Sequence, residues 1–175
     1  MLPKRRRSVR LSLALSATLF AAGCRGADPE LPERLALNPN EPPGFSWLAC
    51  PGGDPTATVR QVVGPDGGTL THESGHILTV PAGAVDRNRN FILHEPASDH
   101  VAVIAVVTGN EAFSVPVSLT ISYARCSDEV DPTTLQMFRE NPNGDHDPLG
   151  GTPTGENSFR SDQLSRLSAY ALATN

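Results

Sequence analysis

Short apolar runs recur along the chain at 57–63, 76–80, 91–94, 101–107, 113–123, 135–138 and 167–173, separated by turn signals. The breaks are rich in Gly, Pro and Asn, as in Gly64-Pro65-Asp66-Gly67-Gly68 and Asn141-Pro142-Asn143-Gly144. No stretch keeps a helical period for more than two turns, so the pattern predicts an all-β chain, an antiparallel β-sandwich of about seven to eight strands. The clearest strand is 113–123. Phe113, Val115, Val117, Leu119, Ile121 and Tyr123 alternate there with Ser114, Pro116, Ser118, Thr120 and Ser122, giving one core face and one wet face. Pro116 lacks a ladder donor and predicts an edge or bulge at that point. Residues 101–107 are apolar on both faces and belong in mid-sheet or beneath the N-terminal segment.

The N-terminus reads differently. Lys4, Arg5, Arg6, Arg7 and Arg10 precede an uncharged stretch, 11–22, which closes on Ala21-Ala22-Gly23-Cys24. A basic flank, an apolar run and small residues at the cut are the parts of an export signal. Twelve helical residues span about 18 Å against a hydrocarbon core of about 30 Å, too short for a membrane span. The last four residues resemble the lipobox of bacterial lipoproteins, with Ala21 where that family prefers Leu. The resemblance implies that the Cys24 sulfur takes a palmitate-bearing diacylglyceryl group and becomes the mature N-terminus, anchoring the protein to the membrane. Arg25 in place of Asp implies the outer membrane where the cell has one. The run Arg5-Arg6-Arg7-Ser8-Val9 also resembles a twin-arginine signal, so the general secretory and twin-arginine routes both stay open. Residues 25–44 hold five prolines and no β-branched residue and read as an extended tether. The organisation expected is a signal peptide at 1–23, a lipidated Pro-rich tether at 24–56 and a β-sandwich domain at 57–175.

Composition narrows the class. Of 175 residues, 38% are hydrophobic and 5% aromatic, which fits one domain with a modest aliphatic core. Cut before Cys24, the chain keeps nine basic and 19 acidic residues, a net of −10. That balance argues against nucleic acid as a partner, because phosphate binding needs clustered cations. With Cys24 lipidated, Cys50 and Cys126 remain. Outside the cytoplasm such a pair reads as a disulfide rather than two free thiols, and Trp47 in the segment before Cys50 needs a surface to pack on.

Gly67-Gly68-Thr69-Leu70, followed by Gly75-His76-Ile77-Leu78-Thr79-Val80-Pro81-Ala82-Gly83-Ala84-Val85, resembles the domain shared by zonula occludens proteins, netrin receptors and ankyrins, the ZU-five domain. Its hallmark is a Gly-Gly turn and then a strand running into an Ile/Val-Pro-x-Gly-Ala turn. Residues 113–119 and 167–172 resemble the same family. The resemblance covers about 57–173 and implies a β-sandwich that binds other proteins rather than a catalyst. One subset of that family cleaves its own chain before the Ser of a His-Phe-Ser motif; here the matching residues are Arg166-Leu167-Ser168. Arginine stays protonated and cannot act as the base, so the departure implies an uncut chain.

Three constellations bear on chemistry. His72-Glu73-Ser74-Gly75-His76 matches the His-Glu-x-x-His signature of zinc peptidases, which works on a helix. Gly75 and the β-favouring flanks argue for an extended segment instead, with the two histidines about 13 Å apart and exposed in a hairpin, beyond the reach of one zinc. Residues 140–147 form an oxygen-rich loop of the kind calcium uses, without EF-hand spacing, and read as a solvated turn. His94-Glu95 and Asp99-His100 make a metal cluster only where their loop folds back. The expectation is therefore a lipid-anchored, extracytoplasmic cell-envelope protein whose sandwich binds a protein or glycan. It needs no metal or other cofactor and carries no catalytic residues. The alternative is a zinc-dependent hydrolase using His72, Glu73 and His76.

Overall fold

The computed structural model describes residues 40–50, 57–109, 112–126 and 130–175. The residues read as an export signal, the expected lipidation site Cys24 and the expected tether up to residue 39 lie outside the described residues. Twelve strands are found among the described residues: β1 (Ser46–Trp47), β2 (Thr58–Val63), β3 (Gly68–Thr71), β4 (Ile77–Val80), β5 (Arg89–His94), β6 (Ala102–Val107), β7 (Val117–Ser122), β8 (Leu135–Glu140), β9 (His146–Leu149), β10 (Thr152–Pro153), β11 (Ser158–Leu164) and β12 (Ala169–Thr174). They form two antiparallel sheets packed face to face as a β-sandwich. One sheet runs β2-β5-β6-β12-β8-β9, with β1 also paired to β12; the other runs β10-β11-β7-β4-β3.

Alternation places the core. Leu70, Leu78, Val80, Val117, Leu119 and Ile121 point inward from the five-stranded sheet, and Phe91, Leu93, Val103, Met137, Tyr170 and Leu172 meet them from the other. β6 lies between β5 and β12, and Val101 through Ile104 are buried on both faces, as their unbroken apolar run requires.

The expected strand at 113–123 is shorter than its alternation suggests. Pro116 stands one residue ahead of β7 and ends the ladder there, and β7 itself is the middle strand of its sheet, not an edge. The residues before it leave the sheet to bond elsewhere, Phe113 N–H donating to Ser165 O and Ser114 N–H to Ala84 O. The outer face is also drier than expected, with Ser118 and Ser122 both buried.

The two glycine turns singled out by the family resemblance touch each other. Gly67 has φ +81°, and a Cβ there would meet Ala82 N at 2.8 Å and the Pro81 carbonyl carbon at 2.9 Å. Gly83, at φ +80°, donates its N–H to Pro65 O at 2.8 Å. Both positions therefore require a residue that adopts positive φ, and Gly67 also one that presents no side chain to the opposing backbone.

The sandwich begins upstream of residue 57. Ser46 and Trp47 pair with Thr174 and Ala173, Leu48 N–H donates to Leu172 O, and Cys50 is bonded to Cys126. Trp47 finds its surface in His100, stacked on it at 5.8 Å, with the rings of His146 and Phe138 edge-on at 4.9 and 5.9 Å.

Candidate functional site

His72 follows β3 and His76 precedes β4, so the five residues between the strands make a tight hairpin. Its closing bonds are His72 N–H to His76 O at 2.8 Å and Gly75 N–H to His72 O at 2.9 Å, with Gly75 at φ +88°. Residues directly opposite in an antiparallel pair share a face and sit close together. The rings of His72 and His76 are accordingly 5.6 Å apart, and both extend the inward row begun by Leu70 and Leu78. The expectation of two exposed histidines about 13 Å apart is thus overturned: the run is folded back at Glu73-Ser74-Gly75, and each histidine is only 1% exposed. Glu73 stays on the exposed turn.

The opposite sheet supplies the third group. Phe91 and Leu93 point inward from β5, and Glu95, two residues further, continues that row with 0% exposure. One candidate ligand atom from each of His72, His76 and Glu95 lies within 4.8 Å of the other two. His76 Nε2 is 3.5 Å from Glu95 Oε2, and the Ser74 hydroxyl donates to the same oxygen. Arg125, in the 3-10 turn Ala124–Cys126, brings Nε to 3.1 Å from Glu95 Oε1 and donates from a terminal nitrogen to His100 O at 3.0 Å. Burial alone pushes the Glu95 carboxyl up. The donors and charge supplied by His76, Ser74 and Arg125 outweigh it and hold the pKa at about 2.

The backbone fixes the imidazole tautomers. Ser122 N–H donates to His76 Nδ1 at 3.1 Å, so the His76 proton sits on Nε2, facing Glu95. Ser74 N–H lies 3.2 Å from His72 Nδ1, and His72 Nε2 donates to Ala57 O at 3.0 Å. The cluster therefore joins the β3–β4 hairpin to the exits of β5 and β7, one polar tie between two sheets. A surface recess lined by Thr58, Val59, Thr71, His72 and Glu73 opens beside it.

The other sequence candidates are placed apart. His94 points away from Glu95 and lies 3.0 Å from Thr58 Oγ1, while Asp99 is exposed and His100 is taken up by Trp47. Only Glu95 of that quartet joins a cluster. Residues 141–145 form a hairpin turn, with Asn141 N–H bonded to Asp145 O and Gly144 N–H to Asn141 O. Within it Asp145 Oδ2 accepts from Asn143 at 2.6 Å, and Asp147 in β9 accepts from Arg139 at 2.8 Å.

Glu95 is the residue that sequence reasoning missed as a partner of His72 and His76. Its signal was its place in the inward parity of β5, which a carboxylate can occupy only with partners waiting for it. No known family model matches the chain, and no curated protein matches it either.

Proposed function

We propose that the protein is a lipid-anchored component of the cell envelope, held through Cys24, whose sandwich is a non-catalytic, ZU-five-like module for binding a protein or glycan. The observation that carries this reading is the Cys50–Cys126 bridge. Disulfides persist in oxidising compartments, and this one staples the first folded residues after the tether to the end of β7 in the opposite sheet. A domain held at the end of a stalk gains from such a staple, because tension on the tether cannot strip the chain beyond Cys50 without breaking a covalent bond. The packing of Gly67 against Pro81-Ala82, and of Gly83 against Pro65, supports the family resemblance by giving its glycines a steric reason.

The zinc-hydrolase alternative fits less well. Its signature needs the glutamate beside the metal-bound water, whereas Glu73 is exposed on the turn and the histidines face inward.

Palmitate labelling of cells expressing wild type and Cys24→Ala tests the anchor, and incorporation that persists in the variant overturns it. Crosslinking in the native envelope followed by partner identification tests the binding role. Peptide or ester hydrolysis by the purified protein that vanishes in Glu73→Gln overturns the non-catalytic reading.

A further inference from the structure

We propose that His72, His76 and Glu95 form a buried site for a first-row transition metal of zinc-like preference, one that ties the two sheets together rather than catalysing a reaction. Two imidazoles and a carboxylate are borderline donors, a set suited to zinc. The separations fit as well. His76 Nε2 and Glu95 Oε2 are 3.5 Å apart, too long for a good hydrogen bond. Two ligands at about 2.0–2.1 Å on a tetrahedral ion are separated by about 3.3–3.4 Å, so the gap already has the span of a ligand pair. His76 Nε2 is fully buried and makes no hydrogen bond of ordinary length, facing Glu95 Oε2 across 3.5 Å, so an ion between the two would satisfy both atoms.

His72 is prepared in the way ligating histidines usually are. Its Nε2–H is held by the Ala57 carbonyl at 3.0 Å, which makes Nδ1 the ligating atom once the ion displaces Ser74 N–H, now 3.2 Å away, from its lone pair. The recess beside His72 gives the ion a way in, and water takes the fourth position.

Binding has an identifiable cost. A neutral His76 that ligates through Nε2 must carry its proton on Nδ1, where it meets Ser122 N–H, now 3.1 Å away. Loading therefore moves one proton on His76 and opens two contacts, Ser122 N–H to His76 Nδ1 and Ser74 N–H to His72 Nδ1. Arg125 at 3.1 Å from Glu95 Oε1 opposes a second positive charge, so affinity is moderate rather than extreme.

The test uses the full chain in detergent, stripped with chelator and titrated with Zn²⁺ and, separately, with Co²⁺. Expected are one equivalent bound, a raised melting temperature and a Co²⁺ visible spectrum of tetrahedral type. The Ser122 amide resonance should shift on loading, a change that a surface-bound ion would not produce. His76→Ala and Glu95→Gln should each weaken binding by at least ~10-fold. Glu73→Gln and His146→Ala should leave it unchanged, which separates this site from the hydrolase alternative. Absence of stoichiometric binding overturns the proposal. So does a bound ion that leaves the Ser122 amide unmoved or gives an octahedral Co²⁺ spectrum. Should His76→Ala fail to fold, the Co²⁺ spectrum and Ser122 shift of the wild type decide.

Discussion

Cys50 and Cys126 are 76 residues apart in sequence and 4.6 Å apart between Cα atoms. The bond links the segment that enters the sandwich, paired to β12, with the turn that ends β7 in the other sheet. Cross-linking a loop of that length removes chain entropy from the unfolded state worth on the order of 4 kcal/mol. Cys50→Ser/Cys126→Ser is therefore expected to unfold at distinctly lower urea concentration than wild type. Mass spectrometry of the wild type without reductant should be two hydrogens lighter than the reduced protein. Free thiols at both positions in the protein isolated from its native source would remove the basis for this staple.

β7 allows its faces to be compared in one strand. Leu119 and Ile121 are fully buried, whereas Thr120 is half-buried between Ile77 and Arg160. Leu119→Ala or Ile121→Ala should each cost about 2–5 kcal/mol, the cost of a cavity plus lost transfer energy. Thr120→Ala should cost well under that. Chemical denaturation of the three variants is the check, and equal losses would mean that the inward face is wrongly assigned.

Particular segments carry their structure in their sequence. Residues 101–107 announce a buried central strand because nothing polar interrupts them, and 117–123 announce one inward face. β11 was not legible, since Ser158–Leu164 mixes Phe159 and Leu164 with Arg160, Asp162 and Gln163, and its pairing with β7 comes from tertiary context. β9 contains Pro148, which argues against a strand and is tolerated because β9 is an edge. The His72–His76–Glu95 cluster was half legible. The spacing of the histidines was plain, but whether four residues span about 13 Å or fold back depended on a turn at Ser74-Gly75. Glu95 is brought in by the packing of one sheet on the other, which local sequence does not encode.

Alkaline stability offers a separate check on burial. Burial raises the Tyr170 phenol well above its ordinary value, and its hydroxyl donates to Arg166 O at 2.8 Å. Tyr123 is shifted up for the same reason. A folded-state pKa above the unfolded one means that the stabilisation is complete below about pH 10 and is lost as pH rises toward the folded value. Each such group contributes a slope of about 1.4 kcal/mol per pH unit in that window. Urea midpoints of the wild type should accordingly be insensitive to Tyr170 up to about pH 10 and fall above it. Tyr170→Phe should fall less steeply. Parallel curves for the two proteins between pH 10 and 11.5 would show that the phenol is accessible in the folded state.

Ser168 carries the last prediction, on self-cleavage. An attacking serine needs a base to accept its proton as the oxygen approaches the preceding carbonyl. Ser168 Oγ instead donates to the backbone carbonyl of Glu140 at 2.6 Å, an acceptor that cannot take the proton away. Arg166, two residues before it, is permanently protonated. His146 lies opposite Glu140 in the β8–β9 ladder, but its ring packs on Trp47 at 4.9 Å. The Ser168 carbonyl is also fixed, accepting from Ala105 N–H at 3.0 Å within the sheet, so the chain here is held as ordinary strand entry. The protein should accumulate uncut, with no N-terminus at Ser168 by terminal sequencing after prolonged incubation at neutral pH. A fragment that begins at Ser168 and disappears in Ser168→Ala would show that another base reaches this hydroxyl, and His146→Ala would then be the first variant to examine.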